Sequence, residues 1–223
     1  MRICFVTVGS LKEYAKKPSE TDIVCLGFQS LGTVSYEREL KGETKLFEDV
    51  AKLSQATKNI VVCGCFTDAR GMKRKSVVVA ERGKILGVSD MLNCIDESED
   101  YRPGAGIKIY DTNAGKLGII VGEDLYFPNV IETLSVCGAE IALCVFEELN
   151  EGLEQTLARS EAFLYGLPVC ICAYGYAQVS DIGGRVRFAS PQSACLFDLE
   201  MQKEYHLVET RRRGLYSRPK SGY

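Results

Sequence analysis

Gly115-Lys-Leu-Gly-Ile-Ile-Val-Gly-Glu-Asp-Leu-Tyr-Phe-Pro128 decides the reading of this 223-residue chain. An apolar strand, Leu117 to Val121, enters a tight turn at Gly122, and a proline and a helical pattern follow. A strand-to-helix turn of this kind lifts a Ser or Cys out of a sheet for attack on a carbonyl or nitrile carbon. Glycine occupies the turn here, and it has no side chain with which to attack.

Outward from that turn, strands alternate with a few helices. Upstream, strand patterns cover Met1 to Val8, Asp22 to Phe28, Ile60 to Phe66, Ser76 to Ala80 and Ile85 to Val88. Glu43 to Thr57 reads as a helix with Leu46, Phe47, Val50 and Leu53 on one stripe. Ile107 to Tyr110 and Leu117 to Val121 form a hairpin around a loop of turn formers. Downstream, Val130 to Cys137 is helical and Gly138 is its stop. Strand Ile141 to Val145 precedes a helix from Leu153 to Tyr165 with Leu153, Leu157 and Leu164 on one side. Strands at Val169 to Tyr174, Ala194 to Asp198 and Tyr205 to Val208 complete the set. Antiparallel hairpins flanked by helices fit an α/β sandwich better than an all-parallel doubly wound sheet.

Composition narrows the class. With 46% hydrophobic residues, the chain supports one domain over residues 1–223. No apolar run approaches the roughly 20 residues that cross a bilayer. Met1 to Val8 lacks a small-residue cleavage site and reads as the first core strand of a cytoplasmic protein. A net charge of -3 argues against nucleic acid and anionic membranes as partners. The basic tail, Arg211, Arg212, Arg213, Arg218 and Lys220, is assigned to a partner subunit or to solvent. Most of the ten cysteines sit in apolar strand-like runs, and the single histidine, His206, stands alone. Reduced core thiols are expected, with no metal and no cofactor.

The order of these pieces resembles the nitrilase, or carbon-nitrogen hydrolase, superfamily, and the resemblance spans nearly the whole chain. Gly118 to Pro128 is similar to the family's Gly-X-X-Ile-Cys-Tyr-Asp-X-Arg-Phe-Pro segment, with Asp124, Phe127 and Pro128 in place. Gly138-Ala-Glu-Ile matches the Gly-Ala-Asp turn that follows. Leu157-Ala-Arg-Ser-Glu161 approximates the segment Arg-Ala-Arg-Ala-X-Glu, and Gly83 to Gly87 and Tyr101 to Gly104 match the stretches around the family's lysine. The resemblance implies a four-layer α-β-β-α sandwich.

It also implies a cysteine nucleophile, a glutamate base, a lysine beside the developing oxyanion and a supporting glutamate. The chemistry needs them to deprotonate the thiol, protonate the leaving amine and stabilise the tetrahedral charge. In this sequence the cysteine position is Gly122 and the base position is Phe28. The lysine position is Met91, or Asp90 if the register slips by one, and the supporting acid is Glu99.

Three substitutions toward apolar or absent side chains lead to the expectation of a protein that no longer hydrolyses amides or nitriles. It would act by binding a small ligand or a protein partner. A turnover abolished by Glu99→Ala would refute this. The alternative is a rebuilt hydrolase in which Glu99, Glu123 and Asp124 divide acid and base roles. Against that, Asp124 is expected to cap the following helix, and Glu99 can be only a structural acid. Cys94 and Cys25 are the displaced thiols to consider. Glu99, Glu123, Asp124 and Phe127 are thus the pocket expectation. A homodimer is expected through Val130, Ile131, Leu134, Phe163, Leu164 and Tyr165, which otherwise fill a crowded core. A short first helix, Leu11 to Glu20, implies an open pocket mouth.

Overall fold

Alternating apolar runs dictate two sheets whose inner faces meet. The computed structural model describes residues 1–95, 100–150 and 152–200. In chain order the first half holds β1 (Arg2–Val6), α1 (Leu11–Lys16), β2 (Ile23–Leu26), β3 (Thr33–Ser35), α2 (Tyr36–Leu40), α3 (Leu46–Thr57), β4 (Ile60–Ala69), β5 (Met72–Glu81) and β6 (Lys84–Asp90). The second half holds β7 (Ile109–Thr112), β8 (Gly115–Val121), α4 (Pro128–Val136), β9 (Ile141–Val145), α5 (Leu153–Tyr165), β10 (Val169–Ala173), β11 (Tyr176–Ser180), β12 (Val186–Ser190) and β13 (Ala194–Asp198). Single 3-10 turns follow β2, at Phe28–Ser30, and β8, at Gly122–Tyr126.

One sheet runs β13-β1-β2-β4-β5-β6 with β3 beside β4, and the other runs β12-β11-β10-β9-β8-β7. Side-chain parity sets the layers, because successive residues of a strand point to opposite faces. Ile3 and Phe5, Ile23 and Cys25, Val77 and Val79 meet Leu117, Ile119 and Val121, Ile141 and Leu143 in the middle layer. The other parity of the first sheet, such as Val24, Leu26, Val61 and Cys63, packs under α3 with Val50 and Leu53. Ala142, Cys144, Val169 and Ile171 of the second sheet pack under α4 and α5. The result is the four-layer α-β-β-α sandwich. Each fully buried Val, Leu, Ile or Phe contributes roughly 1.5–3 kcal/mol, so the three apolar layers dominate the fold's stability.

Several expectations change. β5 begins at Met72, four residues before the Val-rich run, and forms a hairpin with β4 around Arg70 and Gly71, both at positive φ. β11 and β12 were not foreseen, because their sequences mix polar residues into the alternation. The expected strand at Tyr205 to Val208 lies outside the described residues. On α5, Leu153 and Leu164 are 51% and 44% exposed, while Glu154, Ala158, Glu161 and Ala162 face inward. Small alanines let the helix lie close on β10, and leucines at its ends fall off that face. Val130, Ile131 and Leu134, expected on a dimer face, are buried against the second sheet.

Candidate functional site

The parallel strands β8 and β9 stop in register, Val121 opposite Val145, so their next residues emerge together at one end of the sandwich. Ligands of open α/β sheets commonly lie beyond the carboxyl ends of such strands. Gly122 turns the chain with φ of +53°. A side chain is disfavoured at that angle, and a Cβ added there would stand 3.3 Å from the Met91 sulfur. Met91 therefore occupies the space above the turn that a nucleophile would need.

Beside the turn opens a cavity of about 490 Å³, whose wall includes Lys75, Met91, Gly122, Glu123, Tyr126 and Glu147. Lys75 is its central charge. The side chain comes from the start of β5 on the same parity as Val77 and Val79, which aims it between the sheets, and it is only 4% exposed. Its Nζ lies 3.4 Å from Glu123 Oε1 and 3.7 Å from Glu147 Oε2. The ammonium also stands 5.3 Å from the centre of the Tyr101 ring, a cation-π distance. Glu123 and Glu147 reach it together because each lies two residues past the paired strand ends. The other oxygen of Glu123 is buried without a hydrogen-bond partner.

Of the three positions expected to carry the chemistry, Met91 and Gly122 line the cavity, and Phe28 lies in the same middle layer as Met91. Phe28 packs on Phe66 at 5.3 Å, and Phe66 on Tyr101 at 5.8 Å, so an aromatic row runs through the place where the resemblance led one to expect the base. Gly64 on β4 allows this, because a Cβ there would stand 2.8 Å from the Phe28 nitrogen. Glu123 lines the cavity as expected of a pocket residue.

Asp124 does not. It is buried and accepts hydrogen bonds from the Leu92 and Asn93 nitrogens and from Asn93 Nδ2. Burial raises its pKa to about 6, and these donors oppose the rise. It pins the loop that carries Met91 over the turn; no side chain caps α4, which starts on Pro128. Phe127 packs beneath the helices against the outer face of the second sheet. Glu99 lies outside the described residues.

Most of the thiols are buried in the core. Cys25 belongs to the middle layer, and burial pushes Cys63 and Cys144 well above their ordinary value and Cys65 to about 12. Cys94 is half-buried at the edge of that layer. Among the described residues no group of three His, Cys, Asp or Glu side chains is arranged to hold a metal.

The far wall is a buried polar brace. Glu154, fully buried on α5, accepts from the Tyr126 hydroxyl and twice from the Asn150 nitrogen, at 3.0 and 3.1 Å. Asn150 Nδ2 donates to the Tyr126 oxygen at 3.3 Å. Burial and then the Glu154 carboxylate raise Tyr126 to about 12, so it stays a neutral donor. Neither this brace nor Lys75 was singled out in the sequence. Parity could have found Lys75, since residues 75, 77 and 79 of one strand share a face.

The family model for carbon-nitrogen hydrolases matches residues 6–207. Deaminated glutathione amidase of Yersinia enterocolitica is 39% identical over 56 residues, 25% of this chain and 20% of that protein. A probable nitrilase of Schizosaccharomyces pombe is 23% identical over 127 residues, 54% of this chain and 46% of that one. The chain thus matches less than half the length of either relative. Among solved structures, Nit3 of Saccharomyces cerevisiae, a nitrilase-superfamily member, superposes with a TM-score of 0.75 at 18% identity, covering 100% of this chain and 97% of its own. An amidase from Nesterenkonia gives 0.78 at 14% identity, over 96% and 94% of the two chains. At such identities these two show a shared fold. Among the described residues no helix is long and apolar enough to cross a membrane.

Proposed function

Because the chain belongs to the carbon-nitrogen hydrolase family, we propose that it keeps the cavity beside the strand-end turn as a small-ligand site and no longer cleaves amides or nitriles. The observation that carries this reading is Gly122 at φ +53° with the Met91 sulfur over it. No nucleophile stands at the turn, yet an open volume of about 490 Å³ remains alongside. Apolar Phe28 and Met91 supply neither a proton acceptor nor a cation where the family resemblance places them. Removing a nucleophile alone costs several orders of magnitude in rate.

Ligand-detected NMR against a library of small polar molecules tests this. The reading expects saturable binding that Ile95→Trp, which narrows the cavity from its exposed rim, weakens, with no chemical change in the bound molecule. A library that binds only elsewhere, or a bound amide converted to acid, would contradict it.

One observation favours a second reading, a rebuilt hydrolase. Lys75 between Glu123 and Glu147 places an ammonium and two carboxylates at one cavity wall. In that case water is the nucleophile, Glu123 its base and Lys75 the oxyanion partner. Turnover that is lost in Lys75→Met selects this alternative.

The chain is further proposed to pair with a second copy through α4 and α5, and to reside in the cytoplasm. Val136, Leu153, Phe163 and Leu164 leave apolar surface outside those helices, and no two of the ten cysteines are joined. The reduced thiols suit a reducing compartment.

A further inference from the structure

The charge of the cavity wall is unbalanced in one direction. Among the described lining residues, Lys75 shares the wall with three carboxyl groups, Glu123, Glu147 and Glu148. Two of these flank its Nζ, at 3.4 and 3.7 Å, so the ammonium, the one cation among the described lining residues, is already paired within the wall. Tyr126 gives its proton to Glu154, and Asn150 gives one of its two side-chain N–H groups to Tyr126. Among the described residues the wall offers more acceptors than donors toward the cavity, chiefly the carboxylate oxygens and the Asn150 amide oxygen. A ligand made mainly of acceptors would leave these groups facing one another, whereas a donor-rich cation would satisfy them. The rest of the wall is apolar, formed by Met91, Ile95 and Gly122. Polarizable and aliphatic groups of this kind suit a short hydrocarbon body.

Resting on the reading of the cavity as a ligand site, we infer that its ligand is an organic cation, a short aliphatic molecule ending in a protonated amine, amidine or guanidinium. The cationic head sits against Glu147 and Glu148, and the hydrocarbon body lies along Met91 and Ile95. Lys75 sets a limit on the ligand. It neutralises only part of the charge of the three carboxylates, so the wall favours an added cation over an added carboxylate.

Three molecules of nearly equal shape and different charge test this: pentylamine, pentanamide and pentanoate. They are titrated calorimetrically into the full chain at pH 7, and ammonia is measured in the same samples. Pentylamine is expected to bind at least tenfold tighter than pentanamide, with pentanoate weakest, and its affinity is expected to fall as salt is added. Glu148→Gln lies on the exposed rim and leaves the fold intact, so it serves where an inward variant fails to fold. It is expected to weaken pentylamine about threefold and pentanamide hardly at all. Glu147→Gln is expected to weaken pentylamine tenfold or more. Pentanoate or pentanamide binding as tightly as pentylamine overturns the inference. So does pentylamine that does not bind, or binding that ignores both variants. Ammonia released from pentanamide would instead overturn the non-hydrolytic reading, and the rank order of affinities would still decide the inference.

Discussion

A cysteine placed at Gly122 would have to adopt φ of +53° and push against a sulfur 3.3 Å from its Cβ. Left-handed backbone costs a side-chain-bearing residue roughly 1–2 kcal/mol. Gly122→Cys is therefore expected to lower unfolding stability by about that amount in urea titration. It is also expected to release no ammonia from short amides, since the thiol would face Met91 with no base at Phe28. A Gly122→Cys variant that turns over would show that only the nucleophile is missing. Glu161 makes the second argument at this scale. It is 3% exposed, neither oxygen has a hydrogen-bond partner, and burial raises its pKa from 4.5 to about 8. A carboxyl raised on folding supports full stability below pH 4.5 and loses it as pH rises toward 8. Glu161→Gln is expected to flatten that slope, with a gain on the order of a few kcal/mol by pH 8. Equal slopes in the variant and the parent would contradict the buried acid. The sequence displayed Gly122, Phe28 and Met91 because strand ends and turns are legible from apolar runs. It hid Asp124's role, because a carboxylate near a helix start reads as a cap, whereas here the Leu92 and Asn93 backbone lies within its reach.

The elements explain what parity could and could not reveal. The central strands are buried on both faces and their apolar runs give their positions directly, as β9 shows by matching its expected bounds; the edge strand β13 matches its bounds as well. β5 was read as starting at Ser76, because three cations in Lys73-Arg74-Lys75 look like a solvated turn. Lys75 nevertheless continues the inward parity, and the site's central charge was lost with the strand's first four residues. α5 was read with Leu153, Leu157 and Leu164 on one side; the close contact with β10 uses Ala158 and Ala162, Leu157 packs at its border, and Leu153 and Leu164 turn outward. Those outward leucines, with Val136 and Phe163, support the proposed pairing of two copies. Sedimentation equilibrium is expected to give a dimer that Leu164→Glu converts to monomer. A parent chain that stays monomeric at high concentration would contradict the pairing.

At the scale of the whole molecule, two sheets pack their inner faces together and their parallel strands finish at one end, where the cavity opens. That geometry belongs to the family, and most of it was legible because each layer repeats the same alternation. The contents of the cavity were less so, since Lys75, Tyr126 and Glu147 come from separate elements and meet only after the sheets pack. The proposed reading is therefore of a shared architecture with an end wall of altered chemistry. The most direct test of this account is ammonia release by the full chain at high concentration. The assay covers short amides, nitriles and carbamoyl amines, with Lys75→Met and Glu123→Gln measured alongside. The account predicts rates equal to buffer for all three proteins. Ammonia release by the parent chain that either variant abolishes would contradict it.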